Sequence, residues 1–194
     1  MDWIHIREKD LPAQELLEFA RQALQMAAHR AGVSPRPARI FINDRLDVAV
    51  AAGAQGVHLG YESAMAGDVV GWCRAGHAPT GFAIGVSCHR LEEVLEAANA
   101  GVDYVFFGPI FETPSKKEFG VPQGIQKLAQ VCRAVPRIEV IAIGGINAEN
   151  AGSCICSGAS GIAAIRMFQE SRDFGGLRDA VTYLHDLGTQ EESL

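Results

Sequence analysis

The sequence lacks a hydrophobic run of the roughly 20 residues needed to span a bilayer. It also lacks a basic segment followed by an apolar one near its start, as a secretion signal would have. Basic residues are in the minority, because 17 Lys and Arg stand against 23 Asp and Glu, giving a formal net charge of −6. Such a chain has no general attraction for nucleic acid or anionic membranes. We therefore expect a cytoplasmic protein with neither kind of partner.

The cysteines lack the number and spacing of a disulfide framework or a zinc site. The five cysteines are an odd number, and no two are spaced as Cys-x-x-Cys. This pattern suits neither a disulfide framework nor a structural zinc site. We expect reduced thiols, most of them buried.

What the sequence does contain is an alternation of short apolar runs with longer amphipathic segments. The 194 residues, 48% of them hydrophobic, suffice for one domain with a sizeable core. The first helix should begin near Asp10, with Pro12 in its first turn, and run to about Ala31 before Gly32. The apolar runs predict seven strands: Trp3–Arg7, Arg39–Ile42, Gly56–Leu59, Gly81–Val86, Asp103–Phe107, Glu139–Ile143 and Ser160–Ile165.

One junction recurs three times, around Gly53, Gly101 and Gly158. Each predicts a helix that ends at a glycine, a tight turn and then a buried strand. Repetition of a βα unit is typical of a parallel α/β fold. Polar or glycine-rich residues follow every strand, which favours a TIM-type (β/α) barrel over a doubly wound sheet, whose ligands gather at one switch point.

Two segments suggest that the ligand carries phosphate. Gly144 and Gly145 begin the run Gly-Gly-Ile-Asn, which follows a strand and is expected to open a helix, so its backbone N–H groups could approach an anion. Lys116 and Lys117, in a loop with Thr and Ser, could clamp a phosphate or simply be solvated.

Three further side chains have both a functional and a structural interpretation. Asp44 could bind Mg²⁺ or cap a helix, and the two roles are compatible. His89, after the fourth strand, could act as a general acid or base, or cap the next helix. His58 should point opposite to Val57 and Leu59, either into the barrel or toward a helix.

Taken together, these segments resemble the thiamine phosphate synthase family, which includes the TenI-type thiazole tautomerases. The resemblance covers almost the whole chain and lies in six stretches in family order: Ile4–Lys9, Ile42–Asp47, Gly56–Gly60, Gly85–His89, Phe107–Lys117 and Ala142–Ile146. It implies an enzyme that joins a pyrimidine diphosphate to a thiazole phosphate, with Mg²⁺ and basic residues stabilising the departing diphosphate.

The resemblance also implies roles for individual residues. The diphosphate would be held by Arg7, Lys9, Asn43 and Lys117 or Lys116. Asp44 would bind Mg²⁺, and Ser87 would lie near the pyrimidine. The thiazole phosphate would be held by Thr113, Ser115 and the backbone of Gly145. His5 and His58 are candidate ligand contacts, and the partners expected are small phosphorylated molecules.

The chain departs from the family pattern at three positions. His5 stands where the family has Gln, Ser63 stands where it has a metal-binding Asp, and Arg166 stands where it has a small residue beside the thiazole phosphate. Mg²⁺ would then rest on Asp44, the diphosphate and water, with Glu62 as a further option, while Arg166 could bind phosphate or block it. The opening Ile-His-Ile-Arg is more similar to the tautomerases, in which a residue matching His89 moves protons. A tautomerase and a diverged thiazole-phosphate-binding barrel are therefore the alternatives.

The length of the chain bears on whether the predicted barrel is closed. A closed barrel has eight strands and takes about 200 residues at the least. The resemblance places the shortfall before Trp3, so we expect a single β/α-barrel domain, residues 1–194, that lacks the first βα unit. An open seam would then lie between its first and last strands, covered by a rearranged C-terminus or by a partner such as a second copy in a homodimer.

Overall fold

In the computed structural model, residues 2–29, 37–112 and 121–191 are described, and they form two compact units. The first unit comprises residues 1–86 and 100–103, and the second comprises residues 87–99 and 104–194. Both are built from parallel strands that alternate with helices. None of the described helices combines the length and the apolar character that crossing a membrane would need.

The first unit contains four parallel strands that pair in chain order. These are β1 (Trp3–Ile6), β2 (Arg39–Asn43), β3 (Gly56–Leu59) and β4 (Ala83–Cys88), whose last two residues belong to the second unit. The helices are α1 (Ala13–His29), α2 (Leu46–Ala52) and α3 (Ala66–Trp72), the last followed by a π-helical turn over Cys73–His77. Helix α1 packs on α2 and β2 and buries Leu16 and Ala20 completely.

The second unit contains three parallel strands, again paired in chain order. These are β5 (Tyr104–Phe107), β6 (Glu139–Ile143) and β7 (Gly161–Ala163). The helices are α4 (Leu91–Ala100), α5 (Gly124–Ala134), α6 (Ala151–Ile155), α7 (Arg166–Gln169) and α8 (Phe174–Glu191). Tyr104, Phe107 and Leu128 are among the largest fully buried side chains, and α8 packs against α6.

The three repeated junctions share one structural device. Gly53, Gly101 and Gly158 all adopt positive φ, as the sequence predicted for glycines that end a helix. Two residues after each glycine, a polar side chain accepts a hydrogen bond from a backbone N–H of the preceding strand. The pairs are Gln55 Oε1 with Ile40 N, Asp103 Oδ2 with Ile84 N, and Ser160 Oγ with Val140 N, at 2.7, 2.7 and 3.3 Å. Each junction therefore bonds the backbone of the preceding strand through a polar side chain.

The strands of the first unit have one aliphatic face and one polar, aromatic face. Ile40, Ile42, Val57 and Leu59 are buried, as expected for strands covered by helices. The alternate residues carry imidazole, aromatic, amide and guanidinium groups, because successive strand side chains point to opposite faces. His58 lies on this second face, opposite to Val57 and Leu59 as predicted, in ring contact with His5.

The seven predicted strands all occur; β3 and β6 have the predicted limits, β1, β2 and β5 differ by one residue at one end, and β4 and β7 differ more. β4 begins at Ala83 rather than Gly81, because Gly81 has a positive φ and belongs to a turn, and it extends through Ser87 and Cys88. β7 ends at Ala163, and Ile165, predicted as strand, immediately precedes α7 and is 62% exposed. Helix α1 begins at Ala13, and Pro12 lies before it as the acceptor for Leu16 N–H. The predicted helix end at Ala31 and Gly32 lies outside the described residues.

Candidate active site

In the first unit, a carboxylate lies at the shared edge where β2 and β3 end. Asp44 follows β2, and its Oδ1 accepts hydrogen bonds from the backbone N–H of Gly60, at 3.0 Å, and from the hydroxyl of Ser63, at 2.5 Å. The Gly60 N–H also lies 2.9 Å from Ser63 Oγ. A Cβ on Gly60 would lie 2.9 Å from Asp44 Oδ1, so this close approach requires glycine. The loop after β3 thus fixes the carboxylate that follows β2.

This arrangement corrects the structural interpretation of Asp44. The N-cap of α2 is Arg45, and no side chain caps that helix. Asp44 instead has a φ of 62°, a left-handed conformation that Asp adopts more readily than most residues, and its N–H donates to the carbonyl of His58. The Asp44 carboxylate therefore does not cap α2, and it is bonded instead to the loop after β3.

Two ion pairs flank Asp44. Lys9 Nζ, after β1, lies 3.6 Å from Glu62 Oε2, after β3, and both side chains are largely exposed. Arg45 donates two hydrogen bonds to the carboxylate of Asp47, from Nε at 2.9 Å and from Nη2 at 2.6 Å. The contact with Arg45 lowers the pKa of Asp47. Lys9 and Asp44, two of the predicted site residues, thus both neighbour the loop after β3.

A stack of rings lies on the polar face of the first three strands. The imidazole of His5 is stacked on Phe41, with ring centres 4.8 Å apart, and meets His58 edge-on at 5.4 Å. The guanidinium of Arg39 lies 5.3 Å from the centre of the Phe41 ring, close enough for a cation–π contact. His5 and Phe41 are also partners in the pairing of β1 with β2, which places their side chains next to each other.

Both stacked histidines are neutral at pH 7. Burial lowers the pKa of His5 to about 4, against a smaller opposing effect of Asn43. Burial also lowers the pKa of His58 to about 3, with the neighbouring His5 and Arg7 acting in the same direction. Neutral imidazoles both donate and accept hydrogen bonds, so this face can recognise a polar, uncharged ring system. Arg7 and Lys9 are exposed where β1 ends, and their side chains bring positive charge to that end of the strand.

In the second unit, His89 lies between β4 and α4 and is held at two points. Its Nδ1 forms a short hydrogen bond with the carbonyl oxygen of Gly108. A carbonyl only accepts, so Nδ1 carries the proton and Nε2 of the neutral ring carries the lone pair. The backbone N–H of His89 donates to Glu93 Oε2 at 2.6 Å, and Arg90 binds the other oxygen of Glu93. The carboxylate of Glu93 therefore bonds the backbone at the start of α4, while the His89 ring bonds the Gly108 carbonyl.

The glycine pair after β6 forms a tight loop closed by asparagines. Gly144 and Gly145 both have positive φ, and a Cβ on Gly145 would lie 2.5 Å from the carbonyl oxygen of Glu112. Asn150 Nδ2 donates to the carbonyl of Gly145, while Asn147 Oδ1 accepts from the N–H groups of Glu149 and Asn150. Asn147 does not open a helix as expected, since α6 begins only at Ala151.

The remaining predicted residues are distributed as follows. Ser87 is half-buried near the end of β4, and Asn43 is half-buried at the end of β2, paired in register with His58. Arg166 is exposed at the start of α7, because β7 ends three residues earlier. Thr113, Ser115, Lys116 and Lys117 lie outside the described residues.

The sequence did not predict three contacts of the candidate site. It named Ser63 only as a lost metal ligand and did not foresee its bond to Asp44. It also missed the bond from Asn150 to Gly145 and the ring stack built on Phe41. The ring stack did have one signal in the sequence, which is the alternation of Trp3, His5 and Arg7 along β1.

The oxygen atoms of the first unit could provide part of the coordination of a magnesium ion. Carboxylate oxygen is the ligand that Mg²⁺ prefers, and Mg²⁺ is commonly held by one or two carboxylates together with substrate phosphates. Asp44 fits that requirement because its second oxygen, Oδ2, is not the one bound by Gly60 and Ser63. Within residues 2–29, 37–112 and 121–191, no group of three or more His, Cys, Asp or Glu side chains could hold a metal ion.

Parallel strands alternating with helices, and functional side chains after the strand ends, define an enzyme-like α/β protein of the TIM-type barrel class. A solved thiamine phosphate pyrophosphorylase from Pyrococcus furiosus shares this fold. It matches with a TM-score of 0.76 and 32% identity, over 97% of this chain and 83% of that one. The fold class predicted from the sequence is confirmed.

The family model described as thiamine monophosphate synthase matches residues 1–168. A thiamine-phosphate synthase from Methanocella arvoryzae is 40% identical over 172 residues, which are 89% of this chain and 76% of that protein. Another, from Methanoculleus marisnigri, is 40% identical over 84% of this chain and 72% of its own length. The chain belongs to the thiamine monophosphate synthase family, as the motifs predicted.

Proposed function

We propose that this protein is a transferase that couples hydroxymethylpyrimidine diphosphate with thiazole phosphate to give thiamine phosphate and diphosphate. Family membership supports the reaction class. The observation that carries the proposal is the anchored carboxylate of Asp44 in the same unit as Arg7 and Lys9, which is a suitable arrangement for a metal-bound diphosphate. A cytoplasmic location and small phosphorylated ligands go with this proposal.

In the reaction, the bond between the pyrimidine methylene carbon and the diphosphate oxygen breaks, and the thiazole nitrogen bonds to that carbon. Negative charge develops on the departing diphosphate, so cations held near its oxygens stabilise the transition state. Bound Mg²⁺ would supply part of that charge. Arg7 and Lys9 would supply the rest, with Asn43 donating a hydrogen bond. Asp44 would hold the metal, and Gly60 and Ser63 would keep its carboxylate in place.

The pyrimidine is a neutral, polar ring. The neutral pair His5 and His58 would recognise such a ring without competing for the diphosphate, since neither imidazole is charged at pH 7. Ser87 would also lie near the pyrimidine.

The second unit would hold the thiazole phosphate. Backbone N–H groups of Gly144 and Gly145 would donate to the phosphate oxygens, with Asn150 fixing the loop through the Gly145 carbonyl. Thr113 and Ser115 would add hydroxyl donors, and Lys116 or Lys117 would reach the diphosphate. Arg166, exposed at the start of α7, would be a further cation for phosphate.

The direct test supplies the purified chain with both substrates and follows thiamine phosphate by chromatography, with and without Mg²⁺. We expect product only when Mg²⁺ is present. Failure to form product under either condition would refute the synthase proposal.

A thiazole tautomerase is the second candidate, and one observation favours it. The Gly108 carbonyl fixes the proton of His89 on Nδ1 and leaves Nε2 as a base. Such a group could remove a proton from the thiazole precursor and return one during aromatisation. This reaction needs neither Mg²⁺ nor diphosphate, so aromatisation without coupling would identify it.

A further inference from the structure

A small cavity in the second unit lies between the start of α4 and helix α5, where β5 ends. The volume of this α4–α5 cavity is about 240 Å³, and Leu91, Phe107 and Val131 form its apolar side. Charged and amide side chains line the rest. The described residues around it include none of those assigned to the metal, the diphosphate, the pyrimidine or the thiazole phosphate. The cavity is therefore a candidate site for a different ligand.

Arg90 lines the α4–α5 cavity, and its guanidinium is held by Glu93. Nε and Nη2 of Arg90 both lie 2.8 Å from Oε1 of Glu93, while Oε2 of that carboxylate accepts from the backbone N–H of His89. These contacts use one side of the guanidinium and leave Nη1, with its two N–H donors, for another acceptor. Because Arg90 is oriented before a ligand arrives, binding to it costs less side-chain entropy.

Lys127 lines the same cavity from α5. Its ammonium donates to Oε1 of Gln123 at 3.1 Å, so its partner in the described contacts is uncharged. The backbone N–H of Gln123 donates in turn to the carbonyl of Pro109, at 2.8 Å, which attaches this side of the cavity to the segment after β5. An ammonium has three donors, so two remain for a ligand. Lys127 thus brings to the cavity a positive charge that no carboxylate offsets in the described contacts.

The charges around the cavity indicate the class of ligand. Arg90 and Lys127 contribute two positive charges, and Glu92 contributes one negative charge. A phosphate monoester carries a charge of about −1.5 to −2 at pH 7 and has three acceptor oxygens, so it matches two cations with spare donors. A carboxylate brings only one negative charge, and a nucleoside triphosphate brings more than the two cations offset.

We propose that the α4–α5 cavity binds a small phosphate monoester, with the phosphate between Arg90 and Lys127. The organic group of the ester packs on Leu91 and Phe107. This group is small, because the cavity lies below the range of about 300–1,000 Å³ that is usual for drug-sized ligands. The proposal does not rest on the proposed function, since it concerns other residues.

Titration of the full chain with phenyl phosphate tests the site, with backbone amide NMR as the readout. Signals of residues 123–131 report on the cavity, and those of Gly144 and Gly145 report separately on the candidate active site. We expect saturable shifts at residues 123–131 with a Kd of about 1 mM or below. Benzoate, which has the same ring and one negative charge, should bind there at least about tenfold more weakly. Shifts confined to Gly144 and Gly145, no saturable shift at residues 123–131, or equal affinity for benzoate would overturn the proposal.

Two variants on α5 separate a specific contact from general charge attraction. Lys127→Gln removes one of the two cations without disturbing Glu93, so the Kd for phenyl phosphate should rise about tenfold or more. Arg133→Gln is the matched control, because it removes an exposed charge from the last turn of the same helix. Its Kd should stay within about twofold of that of the unmodified chain. An equal effect of the two variants would overturn the proposal, and formation of thiamine phosphate does not enter the measurement.

Discussion

The hydroxyl of Ser63 donates a hydrogen bond to Oδ1 of Asp44, although the two residues are 19 positions apart and follow different strands. The contact exists because parallel strands bring their carboxyl ends to one edge, where successive loops meet. It turns a position that could have carried a second metal ligand into a support for the first.

Replacing Gly60 with Ala should displace the Asp44 carboxylate. The added Cβ would lie 2.9 Å from Oδ1, which is closer than a methyl group and an oxygen normally approach. We expect thiamine phosphate formation to fall about tenfold or more, because misplacing a catalytic group by about 1 Å is costly. The matched control is Gly67→Ala in α3, where nothing lies within 4 Å of the new atom. That variant should keep its activity and gain roughly 0.5–1 kcal/mol in stability. Equal activity in both variants would contradict the prediction.

The buried histidines should make the protein less stable in mild acid. The pKa of His5 is about 4 in the folded chain, below the value near 6.5 expected in the unfolded chain. Between those values the unfolded chain binds a proton that the folded chain does not. The free energy of unfolding therefore falls as pH falls, by about 1.4 kcal/mol per pH unit for each such histidine. The contribution is fully present above pH 6.5.

Urea unfolding at pH 7 and pH 5 measures this effect. His5→Gln removes the titrating ring, so its loss of stability between the two pH values should be smaller by about 2 kcal/mol than that of the unmodified chain. His29→Gln, at the exposed end of α1, is the control and should leave the loss unchanged. An unchanged pH dependence in His5→Gln would show that His5 is not buried as a neutral ring.

The proton of His89 should reside on Nδ1. Nitrogen-15 NMR distinguishes the two neutral tautomers, and the bond to the Gly108 carbonyl predicts the Nδ1–H form. For a synthase, His89→Asn should reduce coupling only modestly, because His89 is not assigned to the diphosphate. For a tautomerase, it should abolish aromatisation of the thiazole. A ring protonated on Nε2 at neutral pH would remove the basis for the second candidate function.

Much of the fold was predictable because local signals agreed with one another. Apolar runs, amphipathic segments and glycines at helix ends all pointed to repeated βα units, and positive φ at Gly53, Gly101 and Gly158 bears this out. The errors lie at strand ends. Ile165 has the β-branched side chain typical of strands, yet it precedes a helix, since backbone pairing and not residue type decides where a strand stops.

The site was less predictable than the fold. Sequence order suggested that Asp44 and the loop after β3 would come close, because their strands are neighbours. It could not show which oxygen of Asp44 is bound, nor that Asp44 adopts a left-handed backbone conformation. The cysteines show the same limit: all five are free thiols as expected, but only Cys88 and Cys154 are buried. Such details depend on packing that a single sequence does not specify.

We propose that the negative charge of Asp44 organises a metal-bound diphosphate. The most direct measurement compares Mg²⁺-dependent formation of thiamine phosphate by Asp44→Asn and Asp47→Asn. Asn at position 44 keeps an oxygen that can accept from Gly60 and Ser63, so the loop should persist while the charge is lost. We predict a fall in kcat/KM of about a hundredfold or more, as for removal of one electrostatic group from an active site. Asp47→Asn should stay within about threefold, as expected for an exposed carboxylate whose ion pair is with Arg45. Equal activity of the two variants would show that the charge of Asp44 has no such role.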